Sequence, residues 1–104
     1  MSEPALSGIR VLDLSDGKGA YGTRILADLG ADVIKVEPPD GDPMRSIPPF
    51  VGDLPGHERS LYWLYRNVNK RSITLNLGSK EGKEIFERLI KPTDVVVETF
   101  DRDT

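Results

Sequence analysis

The sequence contains no cysteine, which excludes a disulfide framework and any thiolate metal centre. It has one histidine, His57, so a transition-metal site would have to rest on carboxylates, and no metal is expected. A lone loop histidine of this kind is most often simply solvated. Apolar runs are short. None approaches bilayer-spanning length, and the leading MSEPALSG lacks the apolar core of a signal peptide, so no membrane partner is expected and the cytoplasm is the expected compartment. Positive charge is in deficit as well: 14 basic against 17 acidic residues give a net charge of −3, which argues against nucleic acid as a partner. No G-x-S-x-G or P-loop motif occurs, and Asp40, Asp42 and Asp53 lack the spacing of a calcium loop.

What remains is a chain of 104 residues, 38% hydrophobic and 30% charged, within the range of one soluble globular domain. A complete doubly wound sheet usually needs more strands than fit in this length. The organising stretch is GIRVLDLSDGKGAYGTRILADLGADVIKVE, Gly8 to Glu37. Ile9 to Leu14 has strand length, and Gly17, Gly19 and Gly22 then break the run. Tyr21, Ile25 and Leu29 recur every four residues with Leu26 beside them, the apolar period of a helix. Gly30 stands where a left-handed cap is needed. Asp32 to Glu37 is the second strand, stopped by Pro38 and Pro39. The unit is βαβ.

The same stretch matches G-x-G-x-x-G at Gly17, Gly19 and Gly22, with Glu37 twenty residues beyond Gly17, where a dinucleotide enzyme holds a ribose. Two intervening residues, Ser15 and Asp16, count against that reading. Asp16 would put a carboxylate beside a pyrophosphate unless it turns away to cap the helix. A third reading is a glycine turn that binds nothing.

Pro38 to Arg59 carries six prolines and three glycines, a long loop of the sort that is either functional or disordered. Ser60 is placed to cap a helix with Leu61, Leu64, Tyr65 and Val68 on one face, leaving Tyr62 and Trp63 to point toward the loop or a partner chain, or all these aromatics simply to pack. Asn67 to Lys70 ends it. Ser72 to Leu77 alternates as a strand, and Ser79 caps a helix from Lys80 to Ile90 that buries Ile85, Phe86, Leu89 and Ile90. Val95 to Val97 reads as a strand covered on both faces. Arg66, Lys70 and Arg71 form a basic cluster suited either to ligand phosphates or to surface ion pairs. The predicted fold is α/β, a mostly parallel, Rossmann-like sheet of about four strands with covering helices.

Three stretches carry a resemblance: LSGIRVLDLS…LADLGADVIKVEPPDGDPMR (Leu6 to Arg45), SLYWLYRNVNKRSITLNL (Ser60 to Leu77) and EGKEIFERLIKPTDVVVETF (Glu81 to Phe100). Together they resemble the N-terminal part of class III CoA-transferases, the family of formyl-CoA transferase, carnitine CoA-transferase and the alpha-methylacyl-CoA racemases. The resemblance implies that residues 1–104 are the first part of a larger Rossmann-like domain, and that the chain is a fragment. It implies coenzyme A as the ligand, transfer of CoA between carboxylic acids or racemisation of acyl-CoA, and an interlocked homodimer. Transferases of the family use an aspartate nucleophile. That aspartate corresponds to a position beyond Thr104, so no catalytic residue is expected here and the chain alone should be inactive.

Carried over position by position, the family's CoA contacts fall on Lys18 and Gly19, on Pro38, on Leu75, Asn76, Leu77 and Gly78, and on Thr99 and Phe100. Pro38 stands where relatives can have an arginine, Gly78 where they can have a lysine, and Thr99 where asparagine is common. Two cations are thus missing from a site for a phosphate-rich ligand. Lys18, Arg45 or the Arg66–Arg71 cluster are the possible substitutes. A dinucleotide-binding oxidoreductase and a non-catalytic assembly module remain the alternatives.

Overall fold

The computed structural model describes residues 3–56 and 58–100; His57 therefore lies outside the described residues. Four strands, β1 (Arg10–Leu14), β2 (Asp32–Glu37), β3 (Arg71–Thr74) and β4 (Val95–Glu98), form one sheet in the order β3-β2-β1-β4, with every pairing parallel. Helices α1 (Ala20–Asp28), α2 (Leu61–Arg66) and α3 (Lys80–Ile90) alternate with them. The expected α/β architecture is present. The chain runs outward from β1 to β3 and then returns to the far side of β1 with β4, so the strand order reverses between β1 and β4. Ligands of open α/β sheets bind outside the strand ends at such a reversal.

Alternation along β1 and β2 divides the core. Leu12, Leu14, Ile34 and Val36 join Leu75 on one face, under Phe86 and Leu89 of α3. Val11 and Val33 join Ala27 and Ala31 on the other, under α1. Helix α1 ends as its sequence requires. Gly30 has φ +106°, its N–H donates to Ala27 O at 3.0 Å, and Ala31 N–H donates to Leu26 O at 3.1 Å, the paired closure of a left-handed glycine cap.

The apolar stripes read from the periodicity are buried only in part. Tyr21, Ile25 and Leu29 are between 43% and 46% exposed, while α1 packs through Ala20, Thr23 and Ala27. Small residues win because they let the helix approach the sheet closely. On α2, Leu61, Leu64, Tyr65 and Val68 are exposed, and Trp63 is buried with Ala20 and the loop residue Met44. Tyr62 and Trp63 pack, as aromatics most often do, in a cluster that the loop residue Met44 joins. On α3, Ile85 and Ile90 are exposed beside the packed Phe86 and Leu89. Strand β4 is an edge strand, and Val95 and Val96 are exposed rather than covered on both faces. β3 stops at Thr74, before the predicted Leu77.

The long loop is folded. It holds two short 3-10 turns, Pro43–Ser46 and Val51–Asp53, and returns to α2 through a bridge between Phe50 and Ser60. Ser60 caps α2 by accepting from Trp63 N–H at 3.1 Å, while its hydroxyl donates to Ile47 O at 2.6 Å. The cap therefore ties the loop to the helix. Among the described residues no helix is long and apolar enough to cross a membrane, and no group of His, Asp or Glu is placed to hold a metal ion.

Candidate ligand site at the strand ends

A cleft of about 380 Å³ opens at the carboxyl ends of the strands. Six of the residues singled out from the sequence line it: Pro38, Leu75, Asn76, Leu77, Gly78 and Phe100. They arrive on three different loops, after β2, β3 and β4. Thr99 is held at its edge, where its hydroxyl accepts from Asp16 N–H at 2.9 Å and donates to Asp16 Oδ1 at 2.8 Å. Lys18 and Gly19 lie on the turn after β1, outside the lining. Gly19 is forced to be glycine there: an added Cβ would stand 2.7 Å from Ser15 Cβ and 3.1 Å from Thr99 Cγ2.

The turn contradicts a dinucleotide fingerprint in two places. Gly22 does not break the chain; it sits within α1, and a Cβ there would meet nothing within 4 Å. A third fingerprint glycine exists to let helix and strand pack closely, and no such approach occurs. Glu37 is the second contradiction. Its Oε1 accepts from Asp42 N–H at 2.9 Å and Arg45 Nε at 2.6 Å, and its Oε2 from Arg45 Nη2 at 2.9 Å and from the Ser72 hydroxyl. Burial would raise its carboxyl, but these donors, Arg45 foremost, outweigh burial and hold it at about 2. Both oxygens are committed to folding the loop. Asp16 turns to its own chain as well, accepting from Lys18 N–H at 2.9 Å.

Behind Glu37 lies a buried ionic layer that sequence reasoning missed. Asp13 and Lys35 are opposite one another in the β1–β2 register, and both are buried. Asp13 pairs with Lys70 at 2.8 Å and accepts from Thr23 Oγ1 at 2.7 Å; Lys35 pairs with Asp42 at 3.0 Å. Burial raises the Asp13 carboxyl, yet Lys35, Lys70 and the Ser15 and Thr23 hydroxyls bring it below the usual range. Desolvation lowers the Lys70 ammonium more than Asp13 restores it. The available signal was charge inside two otherwise apolar strands, Asp13 in VLDL and Lys35 and Glu37 in VIKVE.

A second cavity, of about 590 Å³, opens on the other side of this layer, beside α2. Glu37 and Asp42 line the first cleft, and their partners Arg45 and Lys35 line the second. One wall of ion pairs separates the two spaces. The basic cluster predicted at Arg66–Arg71 does not exist as a unit. Lys70 turns inward to Asp13, Arg71 pairs with Asp32 at 2.6 Å, and Arg66 stacks 4.4 Å over the Tyr62 ring.

A parallel sheet with helices packed on both faces, whose order reverses beside a cleft lined from three strand ends, is an α/β fold of doubly wound type. Residues 6–104 match the family described as CoA-transferase family III, and the chain belongs to that family. It is 50% identical over 103 residues to a succinyl-CoA:mesaconate CoA-transferase of Haloarcula marismortui, covering 96% of this chain and 26% of that one. It is also 50% identical over 101 residues to a formyl-CoA:oxalate CoA-transferase of Streptomyces coelicolor, covering 96% and 24%. The crystal structure of a CAIB/BAIF family protein from Brucella suis superposes with a TM-score of 0.84 at 42% identity, over 95% of this chain and 26% of that one. The chain thus spans about a quarter of the length of these relatives.

Proposed function

We propose that the cleft at the carboxyl ends of β1–β4 binds the CoA moiety of an acyl-CoA, for a protein that transfers CoA between carboxylic acids. The observation that carries this reading is the gathering of Pro38, Leu75–Gly78 and Phe100 around one space at the strand-order reversal. Its lining is chiefly apolar, with prolines, Leu75, Leu77 and Phe100, and suits the pantetheine arm and the face of an adenine ring. Lys35, Arg45 and Lys70 lie elsewhere, and the cleft's ionic lining is the carboxylates of Asp16, Glu37 and Asp42. The phosphates must therefore meet charge at its rim.

In this mechanism the residues of this chain bind and orient. The cleft holds CoA, Gly19 and the Asp16–Thr99 pair fix the turn, and the ion-pair wall keeps the loop in place. The covalent step belongs to an aspartate that the family supplies from sequence beyond the part matched here. Its carboxylate attacks the donor acyl-CoA carbonyl, forming a mixed anhydride and releasing CoA thiolate, which attacks the aspartyl carbonyl to give an aspartyl-CoA thioester and free the donor acid. The acceptor carboxylate then runs the same two steps in reverse, leaving as acyl-CoA with the aspartate regenerated. Racemisation or isomerisation of acyl-CoA is the other activity within the family reading. A cytoplasmic homodimer is part of the same proposal, and light scattering of the protein in solution tests the dimer.

Calorimetry with CoA, NAD and NADP at matched ionic strength tests the ligand class. CoA binding without NAD or NADP binding is the expected result. NAD binding with no CoA affinity would overturn it in favour of an oxidoreductase, and binding of none would favour an assembly module.

A further inference from the structure

The phosphate-rich ligand of the proposed function, and the carboxylic acids it exchanges, are all anions, and the described lining of the cleft offers them no cation. The structure sorts the candidates. Arg45 is committed to Glu37 and lies 4.0 Å over the Trp63 ring. Lys70 spends its ammonium on Asp13, Ala20 O and Asn67 Oδ1 at 2.7–3.0 Å. Arg71 and Arg10 both meet Asp32, at the start of β2 and away from the cleft. Lys18 and Lys80 are exposed ammonium groups on flexible stems.

Arg66 is different. It is half-buried and held by its stacking on Tyr62, and its Nε is buried with no hydrogen-bond acceptor among the described residues. No carboxylate among those residues pairs with it. Tyr62 in turn stands against the glycine turn, its hydroxyl 3.3 Å from where a Cβ on Gly17 would be. Gly17 adjoins Asp16, which lines the cleft. A guanidinium fixed in orientation by an aromatic ring whose hydroxyl reaches the glycine turn, with no counter-charge among the described residues, is a preorganised receptor for an oxyanion.

We propose that Arg66, stacked on Tyr62 whose hydroxyl reaches the Gly17 turn, binds an oxyanion of the ligand, either a carboxylate of the acid or a phosphate of CoA. The inference rests on the CoA reading only for the identity of the anion. It is tested by NMR titration of the 104-residue chain and its Arg66→Met and Arg66→Lys variants with CoA, sodium succinate and inorganic phosphate. Thermal melts of each variant check that it is folded.

Binding by the wild type that Arg66→Met weakens tenfold or more, with Gly17 and Tyr62 amides losing their shifts, is the expected result. Loss confined to succinate assigns a carboxylate; loss confined to phosphate and CoA assigns a phosphate. Arg66→Lys, which keeps the charge but not the planar fork, should fall between. If Arg66→Met does not fold, a several-fold loss in Arg66→Lys supports the role of Arg66 equally. Wild-type CoA binding that neither variant changes by more than twofold overturns the role of Arg66 and leaves the CoA reading intact. Arg66-dependent binding of succinate or phosphate without CoA binding does the reverse. No binding of any of the three overturns both.

Discussion

The hydroxyl of Thr99 and the backbone and carboxylate of Asp16 form a closed two-bond pair, at 2.9 and 2.8 Å, across the point where the strand order reverses. The pair joins the exit of β1 to the exit of β4, 83 residues apart, and so sets the mouth of the cleft. Thr99→Val keeps the shape and removes both bonds, and should cost about 1 kcal/mol in urea denaturation. The Asp16 carboxyl is held below its usual range first by Lys18 N–H and then by Thr99. In the variant it should move only part of the way back, as read by carboxyl-resolved NMR titration. An unchanged Asp16 titration would show that the pair is not formed in solution.

Glu37 makes the chain acid-sensitive in a defined window. Its folded carboxyl at about 2 lies below the ordinary value of 4.5. A depressed carboxyl contributes stability that is complete above the unfolded value and is lost as pH falls from about 4.5 toward 2. Glu37→Gln should lower stability at neutral pH by about 3–5 kcal/mol, since it removes the negative charge of a buried pair with Arg45. It should also flatten the acid limb of stability measured by denaturation between pH 5 and about 2. A Glu37→Gln protein with the wild-type acid limb would assign that limb to other carboxylates.

The Asp13–Lys70 pair should show strong coupling. Lys70→Met strands a fully buried carboxylate among Lys35, Ser15 and Thr23, and is expected to cost about 3–5 kcal/mol. Adding Asp13→Leu removes the stranded charge, so the double variant should be less destabilised than the sum of the two single changes. Additive losses in a denaturation cycle would mean that the pair carries no interaction of its own.

Strand positions were legible in the sequence because β1 and β2 are apolar runs ended by glycine or proline, and β2 falls on the predicted Asp32 to Glu37. The family resemblance picked out nine scattered positions, and six of them line one cleft. The helix faces were not legible. Periodicity reports that Tyr21, Ile25 and Leu29 share a side, but not which side meets the sheet, and here Ala20, Thr23 and Ala27 take it. The ionic layer escaped because its members are scattered along the chain, with Asp13 and Lys70 lying 57 residues apart. Only the parallel register of β1 with β2 and the turn after α2 bring them together.

The glycines of the turn should separate cleanly in mutagenesis. Gly22→Ala places a methyl in open space on a helix and should stabilise the protein by about 0.5–1 kcal/mol through helix propensity and unfolded-state entropy. Gly19→Ala drives a Cβ against Ser15 and Thr99 and should destabilise. Melting temperatures of the two variants check the contrast. A destabilised Gly22→Ala would restore the close-packing role that the fingerprint reading requires.

Restoring one of the missing cations gives a test of the proposed site by gain rather than loss. Gly78 lines the cleft and is exposed, and its N–H is held by Asn76 Oδ1 at 3.0 Å. A Cβ there would lie 3.2 Å from that same oxygen, a side-chain atom able to shift by a few tenths of an ångström. Gly78→Lys is therefore compatible with the fold and sets an ammonium at the rim of the cleft. A charge-assisted bond to phosphate should tighten CoA about tenfold in calorimetry, and raising the salt concentration should erode the gain. Pantetheine, which fills the apolar lining but has no phosphate, should bind the variant and the wild type alike. Equal gains for both ligands would trace the effect to packing, and no gain for CoA would mean that its phosphates do not pass Gly78.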